Sequence, residues 1–100
     1  MIHPSAIVYP RARLGANIEV GPFTIIHNDV EIGDGTVIGS HCEIGLPSLL
    51  AEGVPLVIGD SALIRSHSTF YQGSTFGRFL VTGHRVTVRE KNPLPVRICR

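Results

Sequence analysis

Aliphatic side chains recur at every sixth position from the first residues onward: Ile2, Val8, Leu14, Val20, Ile26, Ile32, Ile38 and Ile44. Ile, Leu and Val make up 29 of the 100 residues, so eight consecutive hits have a chance probability of roughly 1 in 20,000, or about 1 in 3,000 over six frames. Four places after each aliphatic stands a mostly small or β-branched residue, as at Ala6, Ala12, Thr24, Val30, Thr36 and Cys42. One place after it glycine is favoured, and 8 of the 11 glycines occupy that slot. The slot predicts a corner at which the backbone takes unusual dihedrals.

The phase breaks once. Ile44 is followed by the next in-phase aliphatic at Ile58, and the segment Leu46 to Val57, LPSLLAEGVPLV, is predicted to be an inserted loop. Leu49, Leu50, Val54 and Leu56 make it apolar, which predicts that it packs on a neighbouring coil or subunit. The series resumes at Ile58, Ile64, Phe70, Phe76, Thr82 and Val88, with Ala62, Ser68, Ser74, Leu80, Val86 and Asn92 in the small inward slot. Corners every six residues are incompatible with stacked hairpins, which require longer alternating strands and tight primed turns. The reading is an all-β solenoid, a parallel β-helix with three short faces per turn. About five coils are expected over residues 1–93, with an external loop at 46–57 and an irregular tail at 94–100. A single coil cannot bury its own apolar side, so stacking of coils builds one shaft.

Composition narrows the partners. Nine Lys+Arg against eight Asp+Glu leave a formal net charge of +1, so neither a basic field for nucleic acid nor an acidic, disorder-promoting balance is present. No run reaches the length of a membrane span, and MIHPSAIVYPRAR lacks the charged and apolar regions of a leader, which predicts a cytoplasmic protein. Cys42 and Cys99 show neither disulfide-framework nor zinc spacing. Cys42, in a small inward slot, is expected to be a buried, inert thiol.

The pattern [LIV]-[GAED]-x-x-[STAV]-x resembles that of the hexapeptide-repeat acyltransferases, and this resemblance implies left-handed winding, against the usual right-handed crossover. The stretch IHPSAIVYPRARLGANIEVGPFTIIHNDVEIGDGTVIGSHCEIG looks like the opening of sugar-nucleotide acyltransferases, including the lipid A precursor type, whose external loop the 46–57 segment also resembles. The stretch IGDSALIRSHSTFYQGSTFGRFLVTGHRVTVRE looks more like O- or N-acetyltransferases of surface-polysaccharide or nucleotide-linked amino sugars, most of all in TGHRVTVRE. The resemblance implies a homotrimer, acetyl-CoA as acyl donor without a required metal, and a sugar or nucleotide-sugar acceptor in polysaccharide biosynthesis. After Glu90, KNPLPVRICR departs from the repeat, so the chain is expected to be a partial member lacking the coils that bind acyl-CoA.

Acyl transfer from a thioester requires a base at the incoming hydroxyl or amine and donors for the developing oxyanion, and imidazole suits the first role. His84 is the candidate base: it follows Gly83 in an outward corner slot, and the resemblance points to the same residue. A solvated corner histidine is the competing reading. His41 and His67 both lie three places after their aliphatics; if the insertion replaces one face they are one coil apart and stack, with Arg85 next. This His41, His67, Arg85 ladder is a candidate binding surface for an anionic sugar or phosphate in a cleft between subunits; an exposed polar column is the alternative.

Tyr71, Arg89 and Glu90 are further candidate substrate contacts, with Arg65 beside them, and Glu90 is placed to orient His84 or pair with Arg89. His3 and His27 fall in glycine-type slots and read as structural. Phe70, Phe76 and Phe79 read as core and interface packing. Two other functions compete with acyl transfer. One is a non-catalytic trimeric assembly module. The other is a zinc carbonic anhydrase of the same repeat type, whose close His-x4-His pair this chain lacks.

Overall fold

The chain returns to the same face after eighteen residues, which places Ile25 beside Ile7 and Glu43 beside Ile25. The structure, a computed structural model, describes residues 1–51 and 53–89. Twelve strands follow one another: β1 (Ile7–Val8), β2 (Arg13–Leu14), β3 (Glu19–Val20), β4 (Ile25–Ile26), β5 (Val30–Ile32), β6 (Val37–Ile38), β7 (Glu43–Leu46), β8 (Leu56–Ile58), β9 (Leu63–Ile64), β10 (Thr69–Tyr71), β11 (Thr75–Phe76) and β12 (Thr87–Val88). They form three parallel sheets. Face one is β1-β4-β7-β10-β12, face two is β2-β5-β8-β11, and face three is β3-β6-β9, extended by the Ile2–Val20 and Leu63–Val81 pairs. Among the described residues four coils are complete through all three faces and a fifth covers two, as the six-residue period predicts. Asn92, Cys99 and the expected 94–100 tail lie outside the described residues.

Inside the shaft, Ile26, Ile38, Ile44, Ile58, Ile64 and Phe70 are almost wholly removed from water. Each such side chain contributes about 1.5–3 kcal/mol of transfer free energy. The small slot beside each corner is also buried, and its hydroxyls are spent on the backbone. Thr24 Oγ1 donates to the Gly39 carbonyl at 2.6 Å and accepts from the Cys42 amide at 3.2 Å. Thr36 Oγ1 accepts from the Ala62 amide in the same way, one coil spacing on. Backbone that would otherwise be unpaired at the corners is thereby satisfied.

The expected origin of the corner glycines is corrected. Left-handed backbone falls three places after the aliphatic, at Asn17, Phe23, Asp29, His41, Ser61, His67, Phe79 and Arg85, with φ between 57° and 65°. The glycine slot itself is governed by space: a Cβ on Gly39 would lie 2.8 Å from the Ser66 amide nitrogen of the next coil, and one on Gly59 would lie 2.6 Å from the Gly77 carbonyl carbon. Gly15, Gly21 and Gly33 likewise face the next coil's backbone at distances that exclude a side chain. Gly45, at the entry to the insertion, is the exception, with φ 83°.

The insertion replaces no face. It swells the corner between faces one and two, because Ile44 in β7 and Ile58 in β8 are consecutive inward positions. β7 reaches Leu46 and β8 begins at Leu56, so the loop is shorter at both ends than expected. Ala51, in a short helical turn at Leu49–Ala51, and Leu56 are buried and fasten it, whereas Leu49 (97% exposed), Leu50 and Val54 face solvent rather than packing on a coil. Phe70 and Phe76 fill the shaft, edge to face at 5.7 Å, but Phe79 is not core: it stands exposed at a corner under Arg78.

Two outcomes follow from this packing. Gly39→Ala is expected to lower stability by about 1–3 kcal/mol through the backbone clash, whereas Gly77→Ala, whose Cβ meets nothing within 4 Å among the described residues, is expected to be neutral or stabilising by up to about 1 kcal/mol; thermal melts of the two variants decide this. Burial pushes the Cys42 thiol up from its ordinary range. The neutral thiol is the form the fold favours, so its contribution is complete below the ordinary thiol range and fades as pH rises through the raised value. In a Cys99→Ser background, a disulfide-exchange reagent at neutral pH is therefore expected to leave Cys42 unmodified until the chain is unfolded by denaturant.

Candidate functional site

The corner between faces three and one repeats a three-residue unit between its inward positions: Gly21-Pro22-Phe23, Gly39-Ser40-His41, Arg65-Ser66-His67 and Gly83-His84-Arg85. Successive units are pinned to one another by backbone. His41 N–H donates to the Pro22 carbonyl, His67 N–H to Ser40 and Arg85 N–H to Ser66, each at 3.0 Å. The third residue of each unit is left-handed, a conformation costing a non-glycine residue roughly 1–2 kcal/mol. Here the bonds between coils fix it and turn the side chain outward.

The outcome is a column of flat side chains. The Phe23 and His41 ring centroids are 5.2 Å apart, and the His41 and His67 rings are 4.9 Å apart and within 2° of parallel. Arg85 occupies the next rung by backbone register. The expected His41, His67, Arg85 ladder therefore exists, with His67 one coil below His41 despite the intervening loop. Phe23 heads it, 63% exposed.

His84 takes the second slot of its unit, is exposed, and its Nδ1 lies 2.8 Å from Ser66 Oγ. Ser66 occupies the same slot one coil earlier. Sequence reading passed over both Ser66 and Phe23. Writing the chain in eighteen-residue rows, with the insertion removed, aligns Ser40, Ser66 and His84 in one column and Phe23, His41, His67 and Arg85 in the next.

Tyr71 and Arg89 are not brought to this corner. They stack on each other at the far edge of face one, with the Arg89 guanidinium 4.8 Å from the Tyr71 ring centroid. β10, which begins after His67 and ends at Tyr71, separates the two columns. The expected site thus divides into two columns on opposite edges of one face, because a six-residue repeat alternates corners. Glu90 lies outside the described residues.

Other histidines are tied into the framework, as expected of their slots. His3 Nδ1 is 2.8 Å from Ser5 Oγ within its own corner, and Ser5 Oγ accepts from the Phe23 amide at 3.0 Å. His27, largely buried, pairs through Nε2 with Glu43 Oε2 at 3.1 Å and lies beside the Tyr9 ring. Among the described residues no three His, Cys, Asp or Glu side chains converge as a metal-binding group would require.

A depression of about 330 Å³, lined by Pro10, Arg11, Arg13, Asp29, Glu31 and Pro55, lies against the inserted loop rather than at the histidine column. It contains the Arg11–Asp29 ion pair at 3.1 Å, in which the Arg11 guanidinium, as a hydrogen-bond donor, holds the Asp29 carboxyl below its ordinary range. Both groups are exposed, so the pair is a weak stabiliser.

Residues 11–46 match the bacterial transferase hexapeptide family of six repeats. No curated protein matches the sequence. Among solved structures, LpxA, a UDP-N-acetylglucosamine acyltransferase from Bacteroides fragilis, is 26% identical with a TM-score of 0.69 over 90% of this chain and 46% of its own. LpxA from Acinetobacter baumannii is 24% identical with a TM-score of 0.65, covering 89% of this chain and 46% of its own. The Arabidopsis UDP-N-acetylglucosamine acyltransferase is 19% identical with a TM-score of 0.54, covering 91% of this chain and 49% of its own. The chain spans about half the length of these solved structures. With the repeat and the stacked parallel strands, the likeness establishes a left-handed parallel β-helix of hexapeptide repeats.

Proposed function

We propose that this left-handed β-helix of hexapeptide repeats is the repeat portion of an acyltransferase, working as a homotrimer, that moves an acyl group onto a nucleotide-linked or free sugar in cell-surface polysaccharide biosynthesis. The observation that carries the reading is the clustering of His41, His67, His84 and Arg85 on one outer corner, on a fold similar to that of a UDP-N-acetylglucosamine acyltransferase. The donor is an acyl thioester, with acetyl-CoA the first to test, and the acceptor is a hydroxyl or amine. The setting is cytoplasmic; among the described residues no helix is long and apolar enough to cross a membrane.

In this reading His84 removes the acceptor's proton as its oxygen or nitrogen attacks the thioester carbonyl, and the same proton leaves with the thiol. Gly83, without a side chain, leaves the approach to the imidazole open. The flat rungs of His41 and His67 and the Arg85 guanidinium bind the anionic part of the acceptor. Tyr71 and Arg89, across face one, contact the remainder of the substrate. Glu90 belongs to this second group by sequence position alone.

One observation favours the assembly-module alternative. Face three carries an outward row of Val37, Leu63 and Val81 between the exposed Phe23 and Phe79 corners. Such a row on a surface otherwise rich in polar groups suits self-association, with or without catalysis.

The test is thiol release from acetyl-CoA against a panel of amino sugars and nucleotide sugars. His84→Ala is expected to lower kcat by about 10²–10⁴-fold with the oligomer intact. His67→Ala is expected to act mainly on KM for the acceptor, since it removes binding shared by ground and transition states. Absence of thiol release with every acceptor, rather than weak coenzyme A binding by a chain expected to lack donor-binding coils, sinks the transferase reading in favour of assembly alone.

A further inference from the structure

Face two carries a groove that acyl transfer does not use. Its outward row is Arg13, Glu31, Val57 and Thr75, in register on β2, β5, β8 and β11. The depression against the inserted loop continues along this row into a second one of about 310 Å³, lined by Arg13, Glu31, Gly33, Val57, Gly59 and Asp60, so the two share Arg13 and Glu31. Each is of a size that takes a small ligand, about 300–1,000 Å³. The walls are fixed by the fold itself. Pro10 and Pro55 bound the loop side, where the Leu56 amide donates to the Asp29 carbonyl at 3.1 Å. On the far side Gly15, Gly33 and Gly59 approach the next coil too closely to carry a side chain. That rim is therefore low, and its polar group is the Asp60 carboxylate, one oxygen of which accepts the Asp34 amide at 2.9 Å.

The charges decide what fits. Arg11 and Asp29 pair with each other. Arg13 and Glu31 stand in register on adjacent strands, yet both are exposed and neither side chain joins an ion pair or hydrogen bond among the described residues. A guanidinium offers only donors and a carboxylate only acceptors. An anion drawn to Arg13 is repelled by Asp29, Glu31 and Asp60, and a cation drawn to Glu31 is repelled by Arg11 and Arg13. A hydroxyl both donates and accepts, so a neutral polyol satisfies the two groups at once. From Arg13 through Glu31 to Val57 the row spans two coil spacings, roughly 10 Å, room for two linked sugar rings. Face three carries the apolar row suited to self-association and face one is flanked by the two ring columns, which leaves face two for a separate ligand.

We propose that face two is a saccharide-binding groove, distinct from the histidine column, that takes a neutral oligosaccharide with its hydroxyls on Arg13 and Glu31 and an apolar ring face on Val57. This goes beyond the transferase reading and needs no turnover: the groove retains the protein on a sugar chain and does not present a reacting hydroxyl.

The experiment titrates the full ¹⁵N-labelled chain with cellobiose, with the cationic diamine of deacetylated chitobiose and with anionic digalacturonate, following backbone amide shifts. Cellobiose is expected to move the amides of Arg13, Glu31 and Val57 and to leave those of His41 and His67 in place. Arg13→Ala and Glu31→Ala each weaken its binding by about tenfold or more, the loss of a hydrogen bond to a charged group, while His84→Ala leaves it unchanged. The unshifted amides of each variant report that it is folded. Tighter binding of either charged disaccharide, shifts confined to the histidine column, or no shift with cellobiose overturns the groove. Cellobiose on face two of a chain that releases no thiol supports the groove and lets the transferase reading fail alone; thiol release without binding on face two does the reverse.

Discussion

The structure depends on the close stacking of one coil on the next, in which every eighteenth residue returns to the same place and exchanges backbone hydrogen bonds with its counterpart. Strands of two or three residues have no independent stability. They persist because the inward aliphatics above and below are in van der Waals contact and because glycine at the tightest crossing lets two backbones meet. The steric demand at Gly21, Gly39 and Gly59 is the same demand three times, since each faces the backbone of the following coil. The left-handed residues two places later complete each turn, whatever their side chains.

This repetition explains the histidine column. A stack of identical corners converts residues far apart in sequence into neighbours at coil spacing, so whatever chemistry occupies one slot is multiplied along an edge. His41 and His67 stand one above the other because their backbones have nearly the same conformation, φ 57° and 63°, and their rings lie within 2° of parallel. The same rule presents Arg89 to Tyr71 and Asp29 to Arg11 on the next edge. The Arg89 guanidinium over the Tyr71 ring of the coil before it is a contact that a planar cation makes better than an ammonium.

The insertion demonstrates how tolerant such a stack is. Extra residues enter at one corner between β7 and β8, yet Thr69 still pairs with Glu43 and the column continues through His67. A corner already points away from the shaft, so lengthening it costs loop entropy that grows only slowly with length. Buried Ala51 and Leu56 anchor the loop and leave its leucines at the surface. The histidine corner is the one between faces three and one, so the loop shares an edge with Tyr71 and Arg89 and not with the histidine column.

The sequence by itself determined the six-residue period, the parallel three-faced shaft, the position of the insertion and the inward residues, because all of these follow from a count along the chain; the His41–His67–Arg85 ladder was expected only if the insertion replaced a face, and it arises although no face is replaced. The tertiary structure alone decided what the corners mean. The reason glycine is required, the left-handed state of Phe23 and His41, the exposure of Phe79, and the separation of Tyr71 and Arg89 from His84 depend on how closely one coil approaches another, a distance no linear pattern contains. The Ser66–His84 bond belongs to the same class: two residues eighteen apart become partners only when the chain has closed a full turn between them.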